Sequence, residues 1–236
     1  MRHCELAVII PMYNPGEGWV RKLSESADQL KAVLDDKDFS LIVVNDGSTK
    51  NVDPQTIEDA SRQLGNTVFL SYVSNQGKGY AIRYGMERAE ADYYVYTDLD
   101  FPFGYRAVRD VLVRLETDHS NLVIGTRDPE YFKVLPIRRR LISRSLRFAN
   151  CVLTRFIVKD TQAGLKGLDN KAKKVFLSTR VNSFIFELEF IKKCIRQGIN
   201  CSFIGVSPQP NVRFSDFGLR TIMRELANLT KILLRT

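Results

Sequence analysis

The segment Asp92-Tyr-Tyr-Val-Tyr-Thr-Asp-Leu-Asp-Phe101 decides the fold that we predict for this chain. Residues 93–97 are aromatic or β-branched, which is typical of a buried strand. Two carboxylates, Asp98 and Asp100, follow at its carboxyl end. Because side chains alternate along a strand, both can reach one ion only if the chain bends there into a loop. Oxygen ligands without histidine or cysteine suit Mg²⁺ or Mn²⁺, although an isolated Asp-x-Asp could also merely cap the turn before Pro102.

The residues before this segment repeat a strand, a loop and a helix three times. The sequence predicts strands over 6–10, 39–44 and 67–73, and helices over 19–34, 54–64 and 80–91. This alternation predicts an α/β fold in which helices sandwich a mostly parallel, mixed sheet. The loops at the carboxyl ends of the strands, where such sheets bind nucleotides, carry polar side chains: Tyr13, Asn14, Asp46, Lys78, Asp98 and Asp100. The sequence has neither a dinucleotide fingerprint after a strand nor a Walker phosphate loop.

Beyond residue 101 the alternation is less regular. We predict a helix over 105–116, a strand over 122–125, a helix that reaches about residue 156, and a last strand over 201–206. We predict that residues 160–164 form a polar loop, which would carry Asp160. Residues 184–195 join the end of a strand to a helix, with Glu187 and Glu189 in apolar surroundings.

We predict that the last residues, 216–236, form a basic amphipathic helix that follows a catalytic domain over 1–215. Its apolar stripe includes Leu219, Leu226 and Leu233, and arginines and lysines stand off that stripe. Such a helix can lie at a membrane surface as an anchor. Packing on the domain is an equally weighted alternative, and self-association is a third.

Composition narrows the class of protein further. The chain has 236 residues and a formal net charge of +8, so anionic partners are expected. Its four cysteines lack metal-ligand spacing and indicate reduced thiols in a cytosolic protein, and two histidines make a histidine triad or a zinc site improbable. Neither an apolar signal segment nor a bilayer-spanning run is found. A nucleic-acid-binding module is a rival of another class, but the aromatic residues are not interleaved with basic ones as a stacking platform requires.

Several motifs together resemble a known family. The runs are Val8-Ile-Ile-Pro-Met-Tyr-Asn14, Val43-Val-Asn-Asp-Gly-Ser-Thr49, Asn75-Gln-Gly-Lys-Gly79 and Asp98-Leu-Asp100, and their order resembles that in family-two glycosyltransferases of the nucleotide-sugar (A-type) fold. In the second half, Gly125-Thr-Arg127, the segment 138–145, Asp160-Thr-Gln-Ala-Gly-Leu-Lys166 and Phe186-Glu-Leu-Glu189 resemble the dolichyl-phosphate glucosyl- and mannosyltransferase group. The resemblance extends to about residue 214.

The resemblance implies a role for each matching residue. The base and ribose of the donor would be held by Pro11, Tyr13, Asn14 and Asp46, with Lys78 and Leu99 also at the nucleotide. Asp98 and Asp100 would hold Mg²⁺ or Mn²⁺ on the diphosphate, and Arg213 would close over that diphosphate. The acceptor phosphate would meet Arg127, Arg139 and Ser143, and Asp160 would lie close to the reacting sugar. Of these, Asp100, Asp160 and Arg127 are the expected catalytic residues.

The implied activity is metal-dependent, inverting transfer of a hexose from a donor of the UDP-glucose or GDP-mannose type to a polyprenyl phosphate. The protein would act at the cytoplasmic face of the membrane as a peripheral enzyme. Transfer to a saccharide or another lipid, in cell-surface polysaccharide synthesis, is the near alternative. That reaction would need a carboxylate base, for which Asp160 or Glu187 is the candidate.

The chain also departs from the family pattern. Pro15 stands where a glutamate is usual, Asn45 where an aspartate is common, and Leu165 where a phenylalanine is customary. Phe101-Pro-Phe103 follows the acidic motif where small or polar residues are usual, and Glu187 replaces an aspartate.

Overall fold

The computed structural model describes residues 2–127, 163–183 and 185–209. The described strands are β1 Cys4–Met12, β2 Phe39–Asp46, β3 Thr67–Tyr72, β4 Ala91–Tyr96, β5 Leu122–Arg127, β6 Lys166–Asp169 and β7 Cys201–Val206. The described helices are α1 Trp19–Leu34, α2 Pro54–Gln63, α3 Lys78–Arg88, α4 Tyr105–Thr117, α5 Asn170–Leu177 and α6 Phe186–Arg196.

The strands form one sheet in the order β3-β2-β1-β4-β6-β5-β7. Neighbouring strands pair in parallel except at β6, which pairs antiparallel with both β4 and β5. The sheet is therefore mixed and mostly parallel, which confirms the predicted fold class.

Helices cover both faces of this sheet. Alternate residues of each central strand belong to two hydrophobic cores, one on each face. On β1, Ile9 joins the cluster that includes Ile82 of α3 and Phe190 of α6. Its neighbour Val8 joins the opposite cluster, together with Leu23 of α1. Side chains that point alternately to the two faces of a strand explain why the buried runs are apolar throughout.

Most predicted elements are confirmed within a few residues, and α1 and β7 have the predicted bounds. The helix predicted over 80–91 begins earlier, at Lys78, and ends at Arg88. The prediction was wrong at its start because Gly77, with φ of 98°, makes the turn that lets the helix begin at once. The strand β6 and the helix α5 were not predicted. The helix predicted before residue 156 and the helix predicted over 216–236 lie outside the described residues, as does the boundary at 215.

Candidate active site

Four loops meet at the edge of the sheet where β1, β2, β3 and β4 end. Because these strands are parallel and adjacent, their carboxyl ends lie side by side. Side-chain hydrogen bonds and an ion pair then join the first loop to the second, the second to the third, and the third to the fourth. The polar residues predicted to gather here do so.

Asn14 joins the loop after β1 to the loop after β2. Its side-chain oxygen accepts hydrogen bonds from the backbone N–H groups of Thr49, at 2.8 Å, and Lys50, at 3.1 Å. Its own N–H donates to the hydroxyl of Ser48 at 2.9 Å. Asn14 has a φ of 44°, a left-handed conformation that asparagine tolerates better than most residues. Beside it the Tyr13 side chain is 53% exposed, so a flat aromatic surface is open to a ligand at this edge.

Asp46 joins the loop after β2 to the loop after β3. The Tyr72 hydroxyl donates to its Oδ1 at 2.8 Å, and the Asn75 amide donates to its Oδ2 at 2.9 Å. The backbone N–H groups of Gln76 and Gly77 complete the set, at 2.6 and 3.0 Å. A carboxylate offers about four lone-pair sites. Asp46 thus holds the loop that precedes Lys78, and its predicted contact with the donor stays a prediction.

Asp98 and Lys78 form the ion pair that joins the loops after β3 and β4. The Lys78 Nζ lies 2.5 Å from Asp98 Oδ1, and the Lys78 side chain is only 21% exposed. Burial alone lowers the pKa of Lys78, but the carboxylates of Asp98, Glu187 and Asp100 raise it above its ordinary value. The Lys78 ammonium is therefore charged at neutral pH.

The predicted bend at the acidic motif is present. β4 ends at Tyr96, and the N–H of Phe101 donates to the carbonyl of Asp98 at 3.0 Å, which closes a turn over 98–101. Desolvation raises the pKa of Asp100, and the nearby charge of Asp98 raises it further. The turn therefore holds Asp98 and Asp100 on either side of Leu99 at the carboxyl end of β4.

The donor set suits Mg²⁺ or Mn²⁺. Two carboxylates supply hard oxygen ligands, and the ammonium of Lys78 pairs with one of them, Asp98. In the described parts of the chain, no three acidic, histidine or cysteine side chains are grouped so as to hold an ion alone. Such ions commonly keep waters and take further ligands from substrate phosphates, so two protein ligands fit this chemistry.

A buried polar cluster underlies the ion pair. The Nζ of Lys166 donates to Glu187 Oε1 at 2.6 Å and to the carbonyl of Ala163, and the Tyr96 hydroxyl donates to the same glutamate oxygen at 3.1 Å. The side chains of Lys166 and Glu187 are 0% and 4% exposed. Burial raises the pKa of Glu187, although Lys166 and Lys78 oppose this shift. Sequence reasoning missed Lys166 as a site residue, and the only available signal was its position at the end of the Asp-Thr-Gln run.

Gly164 brings the end of that run against the acidic motif. A Cβ at this position would lie 2.7 Å from Asp98 Oδ2 and 3.1 Å from Lys78 Nζ. A side chain at this position would displace the Asp98 carboxylate, so glycine lets the backbone approach the ion pair closely. The chain next to the predicted Asp160 loop therefore reaches the site.

Two further segments of the carboxyl half border the site. Arg127 is the last residue of β5 and is paired in register with Val206 of β7. After β7, the N–H of Gln209 donates to the carbonyl of Pro102 at 2.8 Å. Gly104, with φ of 75°, makes room for the Gln209 amide, because a Cβ there would lie 2.6 Å from its Nε2. The segment that precedes Arg213 thus lies on the turn that follows Asp100.

The structure places part of the predicted site. Pro11, Tyr13, Asn14, Asp46, Lys78, Asp98, Leu99 and Asp100 all lie at or next to the ends of the first four strands. The remaining predicted residues Arg139, Ser143, Asp160 and Arg213 lie outside the described residues.

Comparison with known proteins decides the family. Residues 7–176 match the family model described as Glycosyl transferase family 2. This chain belongs to glycosyltransferase family 2. The family 2 chain is 28% identical over 223 residues to a dolichyl-phosphate beta-glucosyltransferase of Saccharomyces cerevisiae, which covers 86% of this chain and 66% of the relative. It is 26% identical over 205 residues to the dolichyl-phosphate beta-glucosyltransferase of Drosophila melanogaster, covering 79% of this chain and 61% of the relative.

The family 2 chain thus spans slightly under two thirds of the length of these two relatives. Among solved structures, it is similar to glucosyl-3-phosphoglycerate synthase from Mycobacterium tuberculosis in complex with Mn²⁺, UDP and phosphoglyceric acid, with a TM-score of 0.68 and 17% identity. The match covers 98% of this chain and 78% of the other. At this identity the likeness concerns the fold, and it confirms the predicted A-type glycosyltransferase fold.

Proposed function

We propose that this protein moves a hexose from a nucleotide sugar to a polyprenyl phosphate, with inversion at the anomeric carbon and with Mg²⁺ or Mn²⁺ as cofactor. The observation that carries the proposal is the Asp98–Lys78 ion pair, next to Asp100, at the carboxyl edge of a family 2 sheet. Opposite charges held there suit a diphosphate and its cation. The dolichyl-phosphate glucosyltransferase relatives support a polyprenyl phosphate as acceptor and glucose as the hexose.

Donor binding uses the four loops of the edge. Tyr13 is exposed and would stack on the base, and Pro11, Asn14 and the buried Asp46 lie at the same edge of the sheet. Asp98 and Asp100 would hold the cation, and Leu99 separates them in the turn. A bound Mg²⁺ or Mn²⁺ would act as a Lewis acid that neutralises the diphosphate leaving group. Lys78 adds a second, permanent positive charge at the same place, which stabilises the same developing charge.

Acceptor binding would use Arg127, together with Arg139 and Ser143. The second pKa of a phosphate monoester is about 6, so the acceptor is largely ionised at neutral pH and needs little help from a base. Placement is the main requirement, and arginine supplies it through paired hydrogen bonds. We further propose that Asp160 contacts the sugar and that Arg213 contacts the diphosphate. Gly164 and Gln209, which lie a few residues from them in the sequence, both reach the site.

The burial of Glu187 favours a phosphate over a hydroxyl as acceptor. A hydroxyl needs a carboxylate base within hydrogen-bond reach. The Glu187 side chain is 4% exposed and accepts hydrogen bonds from Lys166 and Tyr96, so this carboxylate is not open to an acceptor hydroxyl. Transfer to a saccharide would then depend on Asp160 alone among the two predicted bases.

A lipid acceptor would bring the enzyme to a membrane surface. Within the described ranges, no helix has the length and apolar character to cross a bilayer. We propose that the protein binds peripherally at the cytoplasmic face and that residues 216–236 make the contact.

The test is a donor screen. The purified chain is incubated with Mn²⁺, a polyprenyl phosphate and each common radiolabelled nucleotide sugar, and label is counted in the organic phase. We expect label with UDP-glucose or GDP-mannose, none with Asp98→Ala combined with Asp100→Ala, and full labelling with the exposed control Asp110→Ala. Absence of labelled lipid with every donor would contradict the proposal, and activity in the double variant would contradict the metal assignment.

A further inference from the structure

Residues 179–183, in the loop between α5 and α6, pack against the turn in which Lys78 lies. The N–H of Gly79 donates to the carbonyl of Asn182 at 2.9 Å. A Cβ at Gly77 would lie 2.6 Å from the Asn182 oxygen, and a Cβ at Gly79 would lie 2.8 Å from the Val181 oxygen. The two glycines that flank Lys78 are thus required by this loop, in addition to any role at a phosphate.

Arg83 is the side chain of α3 that binds the same loop. Its Nη1 donates to the Thr179 hydroxyl at 3.1 Å and to the Val181 carbonyl at 3.0 Å, and its Nη2 donates to the side-chain oxygen of Asn182. The planar guanidinium can serve all three acceptors at once, which an ammonium on a shorter reach cannot do with the same geometry. Arg83 therefore fixes the loop from the side of α3.

Glu189 fixes the loop from the opposite side. Its Oε2 accepts from the N–H groups of Arg180, at 2.9 Å, and Val181, at 2.7 Å, and the residue is only 6% exposed. Glu189 lies in the first turn of α6. The first residue of this helix, Phe186, packs against Gly79. The loop is thus held between two helices, and the carbonyls that contact Gly77 and Gly79 have little freedom to move.

We propose that Arg83 is a positioning residue: through the loop 179–183 it fixes the turn that directs the Lys78 ammonium toward Asp98 and the donor diphosphate. Arg83 itself faces the loop and acts through Lys78. The proposal rests on the proposed function for the identity of the ligand. The proposal makes a specific prediction. Loss of Arg83 should weaken binding of the diphosphate, which Lys78 would contact, and leave binding of the base and ribose unaffected.

The experiment compares nucleotides that differ by one phosphate. Titration calorimetry in the presence of Mn²⁺ measures the affinity for UDP and UMP and, in parallel, for GDP and GMP. The proteins compared are the wild type, Arg83→Met, Lys78→Met and the double variant. We expect Arg83→Met to weaken diphosphate binding about tenfold, the scale of one charged hydrogen bond, with monophosphate binding nearly unchanged. In the Lys78→Met background, Arg83→Met should have no further effect, because coupled residues do not add. Arg88→Met removes the same charge from the exposed end of α3 and should match the wild type.

Equal losses for diphosphate and monophosphate, or a full additional loss in the Lys78→Met background, would overturn the proposal. Arg83→Lys should restore part of the diphosphate affinity. If Arg83→Met does not fold, Asn182→Ala removes one acceptor of Arg83 while keeping the backbone carbonyl, and should give a smaller loss with the same preference for the diphosphate.

A measurement without ligand separates this inference from the proposed function. Hydrogen exchange over residues 74–80 should be faster in Arg83→Met than in the wild type, because the Gly79 N–H loses a fixed acceptor, and unchanged in Arg88→Met. If the wild type binds neither diphosphate, the proposed function fails while this measurement still tests the loop. Unchanged exchange in Arg83→Met would overturn the positioning role.

Discussion

Replacing Lys166 with methionine should destabilise the protein strongly. The Nζ of Lys166 lies 2.6 Å from Glu187 Oε1, and the two side chains are 0% and 4% exposed. Methionine keeps the apolar stem of the side chain but removes the ammonium. Glu187 would then keep the Tyr96 hydroxyl as donor and lose its closest positive charge.

The size of the loss follows from burial. Removal of one partner of a buried ion pair costs about 3–5 kcal/mol. In a chain of this length each 1 kcal/mol lowers the Tm by about 2–4 °C, so we expect a fall of roughly 6–20 °C. The double variant Lys166→Met with Glu187→Gln should regain most of this stability, because it leaves no uncompensated buried charge. The side-chain oxygen of the new glutamine can still accept the hydrogen bond from the Tyr96 hydroxyl.

The loss should also depend on pH. Burial holds the pKa of Glu187 above its ordinary value even with Lys166 and Lys78 opposing it, and removal of Lys166 would raise this pKa further. A carboxyl with a raised pKa in the folded state contributes its stability below the pKa of the unfolded state, and that contribution is lost as the pH rises through the folded pKa. The deficit of Lys166→Met should therefore be smaller at about pH 5 than at about pH 8.

Urea unfolding checks this prediction, followed by the fluorescence of Trp19, which is the one tryptophan and is buried. Lys171→Met, on the exposed surface of α5, serves as the control and should change the free energy of unfolding by less than about 0.5 kcal/mol. A loss below about 1 kcal/mol in Lys166→Met, or a double variant as unstable as the single one, would refute the reasoning.

Three further predictions concern the site. Gly164→Ala should weaken binding of Mn²⁺ with UDP about tenfold or more by calorimetry, because the new Cβ would lie 2.7 Å from Asp98 Oδ2; unchanged affinity would show that the backbone moves aside freely. Tyr72→Phe removes the 2.8 Å hydrogen bond to Asp46 and should lower the free energy of unfolding by about 1–3 kcal/mol in urea, and a neutral result would mean that water replaces the hydroxyl. Asp98→Asn should reduce Mn²⁺ affinity in the presence of UDP by about tenfold or more, while Asp110→Asn should not, and equal affinities in the two variants would remove Asp98 from the metal site.

The amino-terminal half was predictable because each signal was local. Apolar runs stopped by Pro11, by Asn45 and by the acidic motif marked strands that are buried on both faces. Their alternation with helices predicted parallel strands, and the carboxyl ends of parallel strands meet at one edge of a sheet, so the prediction needed no knowledge of any long-range contact.

Two elements of the carboxyl half escaped prediction for a physical reason. β6 has four residues, Lys166–Asp169, and begins with a charged side chain followed by glycine, a combination typical of a loop. Lys166 can occupy a central strand only because Glu187, distant in sequence, supplies its counter-charge. α5 is short and its start depends on the Asp169 side chain, which accepts from the N–H of Ala172.

The roles of the site residues were only partly predictable. The sequence placed Asp46 at the right edge but could not show that its oxygens hold the loop after β3. Similarly, the Gly-Lys-Gly run pointed only to a nucleotide contact of Lys78, whereas the structure shows both glycines against a loop that lies about a hundred residues away. Such roles depend on tertiary neighbours that no local pattern encodes.

The antiparallel strand β6 has a consequence for biosynthesis. Among the described strands, it alone bridges the block β3-β2-β1-β4 and the pair β5-β7. On the ribosome, the first block can assemble as soon as residue 96 emerges, whereas its inner border stays open until residues 166–169 are made. A nascent polypeptide halted before that point would expose an unpaired, apolar strand at β4, and a chaperone that shields this border during translation would protect the product from aggregation.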